Sequence, residues 1–148
     1  MKIIIGNDTK GYSLKLFLVE SLRQRGYEVE DIGCNSAQPP VDYPDYARVV
    51  GEGVSSGKFD RGILICGTGI GMSIAANKVP GIRASLCYDV LPAILSREHN
   101  DANVLCTGGW IMTPEKALEV AIQWLEMRYA GGPHQARLDK IAEMEKAG

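Results

Sequence analysis

The chain has 148 residues, a formal net charge of −2, and ordinary apolar (45%) and charged (23%) fractions. That length suffices for one domain with a proper core, and the near-neutral charge excludes a general nucleic-acid or membrane-surface binder. No apolar run reaches bilayer-spanning length, and Met1-Lys2 leads straight into Ile3-Ile4-Ile5 with no signal-peptide plan, so a cytoplasmic protein is expected.

In chain order, Lys2–Gly6 reads as a first strand, followed by the turn Asn7-Asp8-Thr9-Lys10-Gly11. Leu14, Leu16, Leu18, Val19 and Leu22 predict an amphipathic helix that stops at Arg25-Gly26, with glycine as its C-terminal cap. Tyr27–Ile32 reads as a second strand, and the polar loop Gly33–Val41 leads through Asp42-Tyr43-Pro44 to a helix over about Tyr46–Ser55. A third strand ends at Cys66, and a short helix covers Met72–Lys78. Pro80-Gly81 turns the chain into a strand at Ile82–Cys87; Asp89 then begins a helix that must hold Pro92 in its first turn. Asn103–Thr107 is the fifth strand, Thr113-Pro114-Glu115 starts a helix running to about Tyr129, and Gly131-Gly132-Pro133 precedes a final charged helix.

Five strands alternating with helices predict an α/β fold: a three-layer αβα, Rossmann-like single domain over 1–148 with a five-stranded parallel sheet. Ligands of such sheets bind beyond the carboxyl ends of the strands. Asp8, Cys66, His99 and Trp110 all fall after or near such ends in the sequence, so these candidates are expected to converge on one edge.

The centre of the pattern is Ile63-Leu64-Ile65-Cys66-Gly67-Thr68-Gly69-Ile70-Gly71. The apolar run reads as a strand buried on both faces, and the glycines let backbone N–H groups approach a ligand. At a strand-to-helix turn, those donors and the helix dipole favour an anion. The Gly-x-Gly-x-Gly spacing departs from the dinucleotide fingerprint, and Met72-Ser73 stands where a P-loop requires lysine and a hydroxyl. An oxyanion cradle beside a thiol fits better; a tight structural turn is the alternative. Of the four cysteines, Cys34, Cys66, Cys87 and Cys106, none forms a Cys-x-x-Cys pair, which argues against a zinc site or a disulfide framework. Cys66 alone has a glycine loop at a helix start to favour its thiolate.

Over nearly its whole length the chain resembles type B ribose-5-phosphate isomerase and its relative galactose-6-phosphate isomerase. The motifs are Gly6-Asn7-Asp8, Asp42-Tyr43-Pro44, Ile65–Gly71 with Ala75-Ala76-Asn77-Lys78, Pro80–Ala84, Ser96–Asn103 and Gly131–Arg137. The resemblance implies an aldose–ketose isomerase that uses neither metal nor organic cofactor and moves a proton between C2 and C1 through a cis-enediolate. It makes Cys66 the base, with Thr68 and the amides of Gly67, Gly69, Ile70 and Gly71 stabilising the enediolate oxygens. His99 would open the sugar ring. Asp8 and Asn100 would hold hydroxyls, and Tyr43 would line the cleft. One branch of the family places a catalytic glutamate where Met72 stands, which leaves Cys66 as the base. For Asp8 the competing role is capping the first helix, and for His99 it is a contact with the end of its own helix.

The resemblance also implies a small-molecule sugar or sugar phosphate as ligand. It implies a homodimer at least, with tetramers left open, in which the helix over about 134–147 packs on the partner and Arg137 serves the neighbour's cleft. The chain departs from the family at the phosphate end. Thr9 stands where histidine is usual, Pro133 replaces an arginine, and Trp110 stands near a further expected arginine. At roughly 1.5–3 kcal/mol per charged hydrogen bond, those losses weaken phosphate binding unless others substitute. Three explanations stay open: phosphate held by Arg137, Lys10 and His134; a different sugar phosphate; or a sugar without phosphate stacked on Trp110. A non-catalytic sugar-binding protein is the alternative from another class.

Overall fold

The computed structural model describes residues 1–36 and 39–148. The strands are β1 (Lys2–Asn7), β2 (Glu28–Asp31), β3 (Arg61–Cys66), β4 (Ala84–Leu86) and β5 (Val104–Gly108). All are parallel, in the order β2-β1-β3-β5-β4. The helices are α1 (Tyr12–Gln24), α2 (Tyr43–Ser55), α3 (Ile70–Ala76), α4 (Val90–Asn100), α5 (Pro114–Glu126) and α6 (His134–Ala147).

Strand alternation sorts the apolar residues into two layers. Ile3, Ile5, Ile63, Ile65 and Leu105 face α1, α4 and α5, where they meet Leu18, Leu22, Ala93, Val120 and the buried Trp124. Ile4, Leu64, Val104 and Cys106 face α2 and α3, meeting Ala47, Val50, Met72 and Ala76. β3 is central, and its Ile63, Leu64 and Ile65 have no exposed surface. Each such side chain contributes about 1.5–3 kcal/mol of burial. The three-layer αβα architecture expected from the sequence is what forms. No helix of the described residues is long and apolar enough to cross a membrane.

Four elements differ from the sequence expectation by more than one residue. α2 begins at Tyr43 rather than Tyr46, because Pro44 fits a first turn, where a missing N–H costs nothing. α3 begins at Ile70, two residues before the expected Met72, because Gly69 turns left-handed (φ 82°) and caps it. β4 keeps only three residues, since at its start side chains replace the ladder: Arg83 N–H donates to Asn103 Oδ1 and Ala84 N–H to Asn77 Oδ1. α5 stops at Glu126 instead of Tyr129. Met127 turns extended and its carbonyl accepts from Arg97 Nε, while Ala130 N–H donates to the Glu98 carbonyl. The segment 127–133 is thereby laced to α4. The expected loop Gly33–Val41 includes Ala37 and Gln38, which lie outside the described residues.

Candidate active site

β3 delivers Cys66 to the carboxyl edge of the sheet, where the thiol is 5% exposed. Its Sγ accepts a hydrogen bond from Gly69 N–H at 3.1 Å. The loop around it is pinned from several sides. Gly109 N–H donates to the Cys66 carbonyl (2.8 Å), Trp110 N–H to the Gly67 carbonyl (2.9 Å), and Ile70 N–H to Thr68 Oγ1 (3.2 Å). Two of the amides expected to face a substrate oxygen, those of Gly69 and Ile70, are thus already engaged within the loop. A side chain at Gly69 is excluded twice over, by its positive φ and because a Cβ there lies 2.7 Å from the Thr107 carbonyl carbon.

Asp8 follows β1 at the same edge. Its Oδ1 accepts from Lys10 N–H (3.0 Å) and Gly11 N–H (3.1 Å), capping the 3-10 turn Thr9–Gly11 that precedes α1. The capping role weighed from the sequence is therefore real, and it coexists with a place in the cleft wall. A cleft of about 390 Å³ is lined by Asp8, Lys10, Tyr43, Trp110, Ile74 and the loop residues Cys66, Gly67, Thr68, Ile70 and Gly71. Trp110 lies against Gly67, so closely that a Cβ on Gly67 falls 2.8 Å from the indole, and Lys10 Nζ sits 5.0 Å from its ring centroid. Tyr43 rests on Gly71 in the same way. Thr9 stays in the turn and does not line the cleft. Met72 is fully buried beneath the loop.

The expectation that all the polar candidates share one edge fails for His99. A helix connecting parallel strands runs back across the sheet, so His99 and Asn100, at the C-terminal end of α4, lie toward the amino edge, near the start of β5. There the His99 ring stacks on His134 at the start of α6, with centroids 4.3 Å apart and planes 17° from parallel. Asn100 lines a different cavity, beside Leu138, Ile141 and Met144 of α6. Arg137 is exposed, its Nη1 donating to the Pro133 carbonyl (2.8 Å). One chain thus gathers Asp8, Lys10, Tyr43, the thiol loop and Trp110, and separately gathers His99, Asn100, His134 and Arg137.

The family model described as Ribose/Galactose Isomerase matches residues 3–141. This chain belongs to that family. Its type B character is plain in individual relatives. It is 47% identical to ribose-5-phosphate isomerase B of Escherichia coli over 145 residues, covering 98% of this chain and 97% of that one. The solved type B isomerase of Clostridium thermocellum superposes with a TM-score of 0.97 at 51% identity, covering 99% of both chains. The Mycoplasma genitalium type B isomerase, solved with bound ribulose-5-phosphate, matches with a TM-score of 0.95 at 39% identity, over 99% of this chain and 97% of that one.

One residue lining this cleft and one bracing its loop escaped the sequence analysis. Ile74 lines it from the second turn of α3. Tyr88, just past β4, donates its hydroxyl to the Thr68 carbonyl at 2.6 Å. Its position just beyond a strand's carboxyl end was the one available signal. The remaining thiols are structural: Cys106 is fully buried and burial pushes its pKa well up, Cys87 is raised for the same reason, and Cys34 Sγ donates to the Ser36 carbonyl.

Proposed function

We propose that this chain is an aldose–ketose isomerase that interconverts a sugar phosphate of the ribose 5-phosphate/ribulose 5-phosphate type without metal or organic cofactor. The observation that carries the reading is the Cys66 thiol, aimed from the end of the central strand into the cleft with Gly69 N–H on its sulfur. A hydrogen bond donated to sulfur favours the thiolate, the form able to act as base. Cys66 takes the C2 proton of the open-chain aldose, and the electron pair forms the C1–C2 double bond of a cis-enediolate while the aldehyde oxygen takes the negative charge. The O2 proton passes to O1, and Cys66 returns its proton to C1 as the C2 carbonyl forms. Thr68 and the amides of Gly67 and Gly71, rather than the two engaged within the loop, stabilise the enediolate oxygens. Asp8, whose Oδ1 is committed to its turn, uses Oδ2 for a sugar hydroxyl.

His99 opens the ring, and Asn100, His134 and Arg137 complete the site. We place these four on a neighbouring subunit, because their own chain holds them apart from its cleft. Ile70, Ile74 and Trp110, which are 48%, 58% and 67% exposed, give the cleft an apolar rim suited to that contact. The protein is then a homodimer of single isomerase domains, with α6 packed on the partner. The sugar phosphate bound in the Mycoplasma genitalium relative supports the substrate class.

One observation favours a second substrate reading. Among the described residues Lys10 is the sole cation lining the cleft, and the exposed Trp110 beside it suits a sugar face better than a phosphate. The deciding experiment incubates the protein in D₂O with matched phosphorylated and free pentoses and hexoses, reading deuterium at C1 or C2 by proton NMR. Exchange with the phosphorylated sugars alone is the expected outcome. Exchange with free sugars establishes the second reading, and no exchange with any pair refutes the isomerase.

A further inference from the structure

The hydrogen bond from Gly69 N–H to Cys66 Sγ depends on how one peptide plane is turned. That plane joins Thr68 to Gly69. A trans peptide is flat, with its C=O and N–H directed oppositely, so fixing one fixes the other. Gly69 is left-handed at φ 82°, a region with freedom to swing, and the loop gives the Gly69 N–H no other anchor than the sulfur itself. The Thr68 carbonyl on the far side of the same plane is held by Tyr88 Oη at 2.6 Å. Tyr88 is half-buried, and its ring packs against the core layer under α1, α4 and α5.

We propose that Tyr88 is a positioning residue for Cys66: it holds the Thr68 carbonyl and so aims the Gly69 N–H at the sulfur. It touches neither the thiol's proton nor a substrate. This inference rests on Cys66 being the base of the proposed isomerase, but its test reads the thiol directly. Burial first, and then the facing Cys66 sulfur, push the Tyr88 phenol above its ordinary pKa, so it stays a donor across the working range. The other titratable groups around the thiol are Cys106 from β5, Asp8 and Lys10 from the turn after β1, and Tyr43 from α2. None of these contacts the Thr68 carbonyl, so removing the Tyr88 hydroxyl leaves them in place.

The experiment is the rate of Cys66 alkylation by iodoacetamide from mildly acid to alkaline pH, followed by mass spectrometry of the Cys66 peptide, in the wild type and in Tyr88→Phe. In the variant, Cys66 alkylation at neutral pH slows about tenfold, the size of effect one hydrogen bond to sulfur produces. In D₂O exchange with the phosphorylated sugars, kcat/KM at neutral pH falls about tenfold, mostly in kcat. Superimposable alkylation profiles overturn the proposal. Should the variant fail to fold, the wild type alone suffices: alkylating Cys66 must shift the NMR signals of the Gly69 amide and the Tyr88 ring together, and an unmoved Tyr88 signal equally overturns it. A shifted profile with no deuterium exchange in the wild type upholds the positioning role while refuting the isomerase.

Discussion

The two clusters of polar residues differ in how firmly the chain itself holds them. The thiol loop at the carboxyl edge is anchored by Gly109, Trp110, Tyr88 and its own Thr68, and Cys66 is nearly buried. The His99–His134 pair hangs on α6, whose one buried residue is Leu138, while Ile141 and Met144 are 50% and 74% exposed. Beyond the ring stack, α6 is tied down by the Glu145 carboxylate accepting from Gly81 N–H and by Gln135 Oε1 accepting from the Tyr129 hydroxyl. The thiol part is thus fixed within one fold unit. The imidazole part leaves apolar side chains of α6 exposed, which fits the proposed completion of the site by a second copy.

The largest effect breaks the first region alone. Cys66→Ala removes the proposed base and is expected to lower kcat by about a thousandfold in the exchange assay, with stability nearly unchanged. A variant with wild-type turnover would refute Cys66 as base. His99→Ala is expected to lower turnover of cyclic sugars strongly while sparing an open-chain substrate. Mixing the two dead proteins, with subunit exchange, then distinguishes the regions directly. If His99 serves the neighbour's cleft, half the dimers are mixed and each carries one intact site, so about a quarter of wild-type activity returns. No recovery means that both regions serve the same chain.

Next in size is the anionic end. Lys10→Ala removes the cleft's own cation, and KM for a phosphorylated sugar rises about tenfold, with little change for the matched free sugar. Equal effects on both would show that Lys10 acts through Trp110's placement rather than by its charge.

Much of the architecture was legible because isoleucine-rich runs, glycine stops and proline starts are local signals. Ile63-Leu64-Ile65 could hardly be other than a central strand; the glycines after Cys66 were read as room for a ligand, whereas at Gly67 and Gly71 it is Trp110 and Tyr43 that approach. The position of His99 was not legible in the same way. It sits in a motif directly before a strand, but the eleven residues of α4, at about 1.5 Å each, carry it about 16 Å back across the sheet. Proximity in sequence to a strand end therefore placed it on the wrong edge. The early stop of α5 was hidden for a related reason, since Arg97, thirty residues away, takes the Met127 carbonyl. Tyr88 carried no motif, and its meaning comes from one bond to a loop twenty residues distant.

The smallest effect concerns the end of α4 that faces the well-anchored region. Asp89 caps this helix, its Oδ1 accepting from Val90 N–H at 2.7 Å and from Lys116 Nζ of α5 at 2.9 Å. The Lys116 hydrogen bond, then that of Val90, holds the Asp89 carboxyl below the usual carboxylate range. A carboxyl depressed in the folded state contributes stability that is present above its unfolded pKa and lost as pH falls through the folded one. Asp89→Ala is therefore expected to lower the melting temperature slightly at neutral pH, and the gap from the wild type closes in acid, below the usual carboxylate range. Because Asp89 is exposed, added salt shrinks the ion-pair part of the gap at neutral pH and leaves the cap. If the gap persisted in acid, the ionised carboxylate would not be what caps α4. If the same substitution lowered turnover as strongly as His99→Ala, the two ends of α4 would be coupled, and the contrast between a self-sufficient thiol loop and a dependent imidazole end would fail.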